Sequence, residues 1–167
     1  MSMGGVVVWI TGRPSAGKSV FGERLRKRFV HAQRPVVLLD GDAVRAAMKP
    51  AVGYGEQARQ DFYETLANLA AQLATQGLVV VVAATAHLRA YRAYARERAP
   101  RFVEVYVHVS ADRCAERDAK GLYAAVREGR VAGVPGADLP YEEPENPEVI
   151  ALGGLDEEAI GKIVRLV

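Results

Sequence analysis

The sequence lacks the features that mark disulfide-bonded, metal-caging and membrane-spanning proteins. Its one cysteine, Cys114, excludes an intramolecular disulfide and a multi-cysteine metal site, and its helical-looking surroundings make it a packing residue. No apolar run approaches the roughly eighteen residues of a membrane span. The N-terminal stretch MSMGGVVVWI has no charged region leading into a cleavable apolar segment. We therefore expect a cytoplasmic protein with no membrane partner.

Neither sign of charge dominates the chain. It has 22 Lys and Arg against 20 Asp and Glu, a formal net charge of +2. A balance this close does not favour a nucleic-acid partner, which a strongly basic surface would indicate. What the chain does have is 167 residues of which 50% are hydrophobic, enough to bury one core. We expect a single domain over residues 1–167.

Short β-branched runs alternate with longer helical patterns along the chain. Strands are predicted at 6–10, 36–40, 78–84, 102–109 and 148–152. Helices are predicted at 17–30, 41–48, 56–76, 88–98, 111–128 with a break at Gly121, and 156–166. This alternation predicts an α/β three-layer sandwich, a mostly parallel five-stranded sheet with helices on both faces. The Gly-, Pro- and acid-rich segment 127–148 reads as either a functional lid or a solvated connector.

The stretch WITGRPSAGKSV, Trp9–Val20, carries a phosphate-binding signature. Gly12, Gly17, Lys18 and Ser19 match G-x-x-x-x-G-K-[ST] between a predicted strand and a predicted helix. Backbone N–H groups and the helix N-terminus would hold the phosphates of ATP, Lys18 would neutralise the outer ones, and the Ser19 hydroxyl would ligate Mg²⁺. The predicted cofactor-binding residues here are Gly12, Arg13, Pro14, Ser15, Ala16, Gly17, Lys18, Ser19 and Val20.

Two acids follow the second predicted strand, in LLDGDAVR. Asp40 and Asp42 therefore lie at the carboxyl end of the sheet, where open α/β folds bind ligands. Either acid could organise magnesium, accept a proton from an attacking hydroxyl or cap the next helix. We predict that Asp42 is catalytic together with Lys18, and that Asp40 contributes with Ser19 to the metal site.

The chain as a whole resembles the adenylylsulfate kinases, P-loop kinases that use ATP to phosphorylate the ribose 3′-hydroxyl of adenosine 5′-phosphosulfate. The resemblance rests on WITGRPSAGKS, LLDGDAVR, GYGEQAR, LVVVVAATAHLRAYR, FVEVYVHV, ERDAKGLYAAVREG and GADLPYEEPENPEV. It implies a mobile lid at about 117–147 and an alcohol-directed phosphotransferase that makes 3′-phosphoadenosine 5′-phosphosulfate. Members of the family are commonly dimers, so it also suggests a homodimer.

The resemblance further implies roles for individual residues. Arg117 would lie near the ATP base, Arg45 and Arg59 would meet the acceptor's phosphosulfate, and Tyr54 would stack on its base. Lid residues would close over both substrates. The predicted acceptor-binding residues are Asp42, Arg45, Tyr54, Arg59, Phe62, Thr85, Ala86, Lys120, Gly121 and Leu122.

The chain departs from the family pattern on the acceptor side. Phe62 replaces an asparagine that binds the acceptor base, Ala86 replaces a serine, and Val134 replaces a lid phenylalanine. Without that serine hydroxyl, transfer must be direct and in line. The losses favour an altered acceptor, such as cytidine diphosphoramidate, and Phe62→Asn is expected to tighten an adenylyl acceptor. A third alternative, after the two kinases that differ in their acceptor, is a nucleotide-binding module without transfer chemistry. His87 could contact the acceptor or hydrogen-bond within its loop.

Overall fold

Residues 4–167, which the computed structural model of the protein describes, form a sheet and its surrounding helices. The strands are β1 (Val6–Thr11), β2 (Val36–Asp40), β3 (Val79–Ala83), β4 (Phe102–Val107) and β5 (Val149–Ala151). The helices are α1 (Lys18–His31), α2 (Gly41–Ala47), α3 (Glu56–Thr75), α4 (Arg89–Arg98), α5 (Ala111–Arg117), α6 (Leu122–Arg127) and α7 (Glu157–Leu166). Each predicted strand is present, within two residues of its predicted bounds.

The five strands lie in the order β2-β3-β1-β4-β5, and every neighbouring pair is parallel. Side chains of β1 alternate between two cores, because successive residues of a strand point to opposite faces. Val8 packs with α1 and α7, whereas Trp9 packs with α3 and α4. Helices therefore cover both faces, and the predicted α/β three-layer arrangement is confirmed.

The predicted helix at 111–128 is divided into α5 and α6. Asp118 and Gly121 between them adopt positive φ angles of 34° and 68°, which no α-helix can continue through. The Asp118 carboxylate then accepts hydrogen bonds from the backbone N–H groups of Tyr123 and Ala124, both at 2.9 Å. These bonds cap α6 and lower the pKa of Asp118. The break predicted at Gly121 thus extends over a four-residue turn, Asp118–Gly121.

The segment after α6 forms no helix, yet ion pairs and hydrogen bonds fasten it to the sheet and to α4. Arg96 of α4 pairs with Glu148 at 2.7 Å, and Arg89 donates to the Glu143 carbonyl oxygen at 2.8 Å. Asp138 accepts from the N–H of Val134 at 2.6 Å and so closes a turn inside the segment. Within residues 4–167, none of the helices combines the length and the apolar character needed for crossing a bilayer.

Candidate functional site

The phosphate loop joins β1 to α1 at the carboxyl edge of the sheet. A Cβ on Gly12 would lie 2.8 Å from the carbonyl oxygen of Val107, so the loop can pass β4 only with glycine at this position. Gly17 adopts φ 104° immediately before α1. The first turn of α1 has neither a side-chain cap nor an acidic residue. Its free N–H groups and positive dipole end therefore face the loop and can bind an anion.

Lys18 lies across this loop. Its Nζ donates to the carbonyl oxygen of Arg13 at 2.9 Å. Burial within the loop, together with repulsion from Lys120, lowers the pKa of Lys18 to about 8, and Asp42 only partly opposes this shift. A bound polyphosphate would supply the counter-charge that the lysine lacks here.

Asp40 joins the loop to the start of α2. Its Oδ2 accepts from the Ser19 hydroxyl at 2.6 Å, while its Oδ1 accepts from the N–H groups of Asp42 and Ala43 at 3.0 and 3.4 Å. Asp40 is therefore the cap of α2, one of the three roles that the sequence left open for the two acids. The same carboxylate stays beside the Ser19 hydroxyl, and hydroxyl and carboxylate oxygens are ligands that Mg²⁺ prefers.

The turn between α5 and α6 docks on the phosphate loop. Ser15 Oγ accepts from the Ala119 N–H at 3.1 Å, and the Tyr123 hydroxyl donates to the Pro14 carbonyl at 2.9 Å. From this turn, Lys120 reaches Asp42 of α2 and forms an ion pair with it. Residues from three distant parts of the sequence, Lys18, Asp42 and Lys120, thus come together at the mouth of the loop.

Arg45 of α2 lies over two aromatic rings. Its Cζ is 4.1 Å from the ring centroid of Phe62 and 4.4 Å from that of Tyr54. Phe62 is 2% exposed, whereas Tyr54 is 64% exposed. Arg45 Nη1 also donates to the Gly53 carbonyl oxygen at 2.9 Å. The ring of Phe62, which was predicted to bind the acceptor, is covered by the Arg45 guanidinium.

Arg59 lies beside this group, largely buried. Its Nη2 donates to the carbonyl oxygen of Gly133, and its Cζ is 5.9 Å from the Tyr54 ring centroid. An adjoining cavity of about 370 Å³ contains Arg59 and His87 in its wall. Burial and the charge of Arg59 lower the pKa of His87 to about 4, so its imidazole is neutral. His87 Nδ1 has no hydrogen-bond partner within residues 4–167, so a hydrogen bond within its loop is not observed for that atom.

Some predicted residues lie away from any open surface. Ala86 has no exposed area and packs in the apolar cluster beneath α3 and α4, because its φ of 40° turns the chain inward after β3. Ala86 therefore offers no exposed surface in this structure, and its contact with the acceptor stays a prediction. Thr85 contributes its carbonyl oxygen to a bond from Thr11 Oγ1 at 2.6 Å. Arg117, Gly121 and Leu122 lie at or beside the turn between α5 and α6, where all three are exposed or partly exposed.

Two buried residues that hold the site together were not among the predicted site residues. The Tyr141 hydroxyl donates to Thr11 Oγ1 at 2.8 Å, because the Thr11 hydroxyl proton is used in the bond to the Thr85 carbonyl oxygen. This bond ties the end of the lid to β1. Arg92 binds Glu104 at 3.1 Å and the Ala86 carbonyl oxygen at 2.5 Å. The resemblance drew attention to the PYE motif that contains Tyr141, but no local spacing reveals a contact across 130 positions.

The parallel sheet, the phosphate loop at the start of α1 and the acids after β2 together define a P-loop kinase. The family model for adenylylsulphate kinase matches residues 4–151. The chain belongs to this family, as the resemblance indicated. It is therefore a phosphotransferase that uses a nucleotide and acts on a hydroxyl group.

Named relatives agree along nearly the whole chain. A probable adenylyl-sulfate kinase of Archaeoglobus fulgidus is 39% identical over 144 residues, 86% of this chain and 93% of the relative. The adenylyl-sulfate kinase of Picosynechococcus sp. is 36% identical over 163 residues, 96% of this chain and 92% of the relative. The Mycobacterium tuberculosis APS kinase CysC, solved with AMPPNP and APS, superposes with a TM-score of 0.90 at 31% identity, covering 98% of each chain.

Proposed function

We propose that the chain transfers the γ-phosphate of ATP to the ribose 3′-hydroxyl of adenosine 5′-phosphosulfate. The observation that carries the proposal is the ion pair of Lys120 with Asp42 at the mouth of the phosphate loop. It joins an acid suited to an attacking hydroxyl with a lid cation suited to a migrating phosphoryl group. Phosphoryl transfer depends chiefly on such positioning and on cations around the transferred group.

On the donor side, the loop residues Gly12 to Val20 bind the triphosphate and Lys18 neutralises its outer phosphates. Support for a base site comes from Gly154, whose backbone packs on Gly17 and which is followed by exposed Leu155. Arg117, an exposed cation at the end of α5, would lie near the ATP base, as the resemblance implies. Ser19 and Asp40 would hold Mg²⁺, and their oxygen donors fit the ion. When bound, Mg²⁺ supplies charge neutralisation at the phosphates.

On the acceptor side, Arg45 and Arg59 bind the phosphosulfate, because a guanidinium matches an oxyanion in charge and in fork geometry. Asp42 accepts the proton of the 3′-hydroxyl while the hydroxyl oxygen forms a bond to the γ-phosphorus. The bond from that phosphorus to the β–γ bridging oxygen breaks, and ADP leaves. Lys120 leaves its ion pair with Asp42 and binds the phosphoryl group that is being transferred. Ala86 has no hydroxyl to carry a phosphate, which supports a single in-line step.

The proposal is tested with purified protein, ATP, Mg²⁺ and a panel of adenylyl and cytidylyl acceptors, followed by ADP release. We expect turnover with adenosine 5′-phosphosulfate at micromolar concentrations. Asp42→Asn should lower kcat at least about a hundredfold while ATP still binds, as measured by calorimetry. Glu64→Gln, a change at a partly exposed carboxylate on α3, is the matched control and should keep wild-type kcat. If none of the adenylyl acceptors is phosphorylated, the proposal is contradicted.

A different nucleotide-linked anion, such as cytidine diphosphoramidate, is the second candidate acceptor. Phe62 has no amide to read a base edge, and its ring is occupied by Arg45. Val134 has no aromatic ring and is only 6% exposed, so the lid offers no aromatic face at this position. Turnover only with a cytidylyl member of the panel would support this candidate. The homodimer stays a prediction, which light scattering of the purified protein would test. The single domain also stays a prediction.

A further inference from the structure

Arg45 is a cation held in place without an anion. Most other arginines with ordered contacts pair with a carboxylate, as Arg13 does with Glu143 and Arg96 with Glu148. Arg45 has no ion pair within residues 4–167, and its one side-chain hydrogen bond goes to the neutral Gly53 carbonyl. A guanidinium has five N–H donors. Most of those of Arg45 are therefore without a protein partner.

The position of Arg45 is fixed by two ring faces. The guanidinium centre is 4.1 Å from the Phe62 centroid and 4.4 Å from the Tyr54 centroid, within the range of a cation–π contact with each ring. We call these three residues the Arg45 stack. Phe62 is almost wholly buried and packs edge-on against Tyr63, with centroids 5.3 Å apart, so its ring cannot turn away. It is the rigid side of the stack, whereas Tyr54 is the exposed side.

A stacked guanidinium uses its faces for the rings and keeps its edges for hydrogen bonds. With Gly53 on one edge, the remaining donors are available to an oxyanion in the plane of the group. An arginine fixed in this way loses less rotamer entropy when it binds an anion than a free surface arginine does. Phe62 has no polar atom of its own for the acceptor. Its effect on the acceptor must therefore pass through Arg45.

We propose that Phe62 is a positioning residue for acceptor recognition: together with Tyr54 it fixes the Arg45 guanidinium, whose free edge binds the anionic group of the acceptor. The proposal rests on the proposed function, since it assumes a nucleotide acceptor that carries such a group. It identifies the anion as the feature that this chain recognises at the position where related kinases bind a base edge. It also reverses the expectation from sequence for Phe62→Asn, which would remove the ring beneath Arg45.

The test compares substitutions that separate the ring's π face from its bulk. Phe62→Leu keeps an apolar side chain, and Phe62→Tyr keeps the aromatic face. We expect Phe62→Leu to raise the KM for adenosine 5′-phosphosulfate about three- to tenfold, with kcat and the KM for ATP within about twofold of wild type. Phe62→Tyr should restore the acceptor KM. Tyr94→Leu removes the ring from another arginine stack, that of Arg98 on α4, and is the matched control that should leave it unchanged.

A double-mutant cycle distinguishes positioning from general packing. Arg45→Ala alone should raise the acceptor KM, and adding Phe62→Leu to it should produce no further increase. The NMR signal of the Arg45 Nε–H group gives a second readout without substrate. Ring currents from both rings should shift it upfield in wild type and in Phe62→Tyr, and by clearly less in Phe62→Leu, where only the Tyr54 ring remains.

The outcomes separate this proposal from the proposed function. Equal acceptor KM values for Phe62→Leu and Phe62→Tyr would overturn it. It would also be overturned if the double variant raised the acceptor KM by the product of the increases in Phe62→Leu and Arg45→Ala. A tighter adenylyl acceptor in Phe62→Asn would also overturn it. If wild type turns over no adenylyl acceptor, the proposed function fails instead. In that case the NMR signal still tests the Arg45 stack, because an unshifted Arg45 signal in wild type would reject the stack whatever the acceptor is.

Discussion

Lys18 connects the structure of the phosphate loop to the pH dependence of nucleotide binding. Its pKa is lowered to about 8 in the protein without nucleotide. A bound triphosphate favours the charged amine and raises that pKa, so binding must take up a proton wherever free Lys18 is neutral. Affinity for ATP should therefore be constant below about pH 7 and fall as the pH rises through about 8 to 9.

Calorimetry at about pH 9, in two buffers with different ionisation enthalpies, measures this uptake. We expect close to one proton for wild type. Lys18→Met, which cannot titrate, should bind ATP more weakly and take up none. Wild-type binding without proton uptake at that pH would show that the depressed pKa is wrong.

Local sequence signals were enough for residues whose role is set by the backbone around them. Gly12, Gly17 and Lys18 were predicted because the phosphate loop is one continuous segment. The Arg45 stack was not, because Phe62 comes from another helix and the family pattern has an amide at that position. The ion pair of Lys120 with Asp42 spans 78 positions. Such contacts depend on how the lid turn lies over the sheet, which no local spacing encodes.

At the scale of elements, the turn between β5 and α7 packs against the phosphate loop. A Cβ on Gly154 would lie 2.9 Å from the Gly17 carbonyl oxygen and 3.2 Å from the Val20 Cβ. Gly154→Ala should therefore push the turn and the loop apart, at a cost of about 1–3 kcal/mol. We expect ATP affinity, measured by calorimetry, to fall about tenfold.

Gly55→Ala is the matched control for this change. Gly55 has an ordinary negative φ of −64°, and a Cβ there would meet no heavy atom within 4 Å. ATP affinity should stay at the wild-type value in this variant. Wild-type affinity in Gly154→Ala as well would mean that the turn moves freely and does not support the loop.

The elements themselves were mostly predictable because their patterns are local. Apolar β-branched runs and helical periods gave strands and helices close to their observed bounds. The segment after α6 was not, since its order comes from distant partners. Tyr141 binds Thr11 of β1, and Asp138 closes a turn by accepting from Val134. Composition alone did not separate a lid from a connector. The contacts with β1 and α4 show that the segment is ordered, and its role as a lid stays a prediction.

At the scale of the whole molecule, the sheet places three chain segments at one edge. The phosphate loop follows β1, Asp40 ends β2, and the segment with Thr85 and Ala86 follows β3. Because all strands are parallel, their carboxyl ends lie side by side. This arrangement follows from the α/β alternation, whereas the strand order does not, since the sequence does not say which neighbours pair.

The two faces of the sheet should unfold as one unit, because β1 contributes side chains to both cores. The chain carries one probe on each side: Trp9 lies in the core beneath α3 and α4, and Cys114 lies in the core with α1 and α7. Urea unfolding followed by Trp9 fluorescence and by Cys114 labelling should give the same midpoint. Nucleotide at about a hundredfold its Kd should stabilise both by about 2.7 kcal/mol. Two separate midpoints, or a nucleotide shift in only one probe, would mean that the faces are independent units and that one domain is the wrong description.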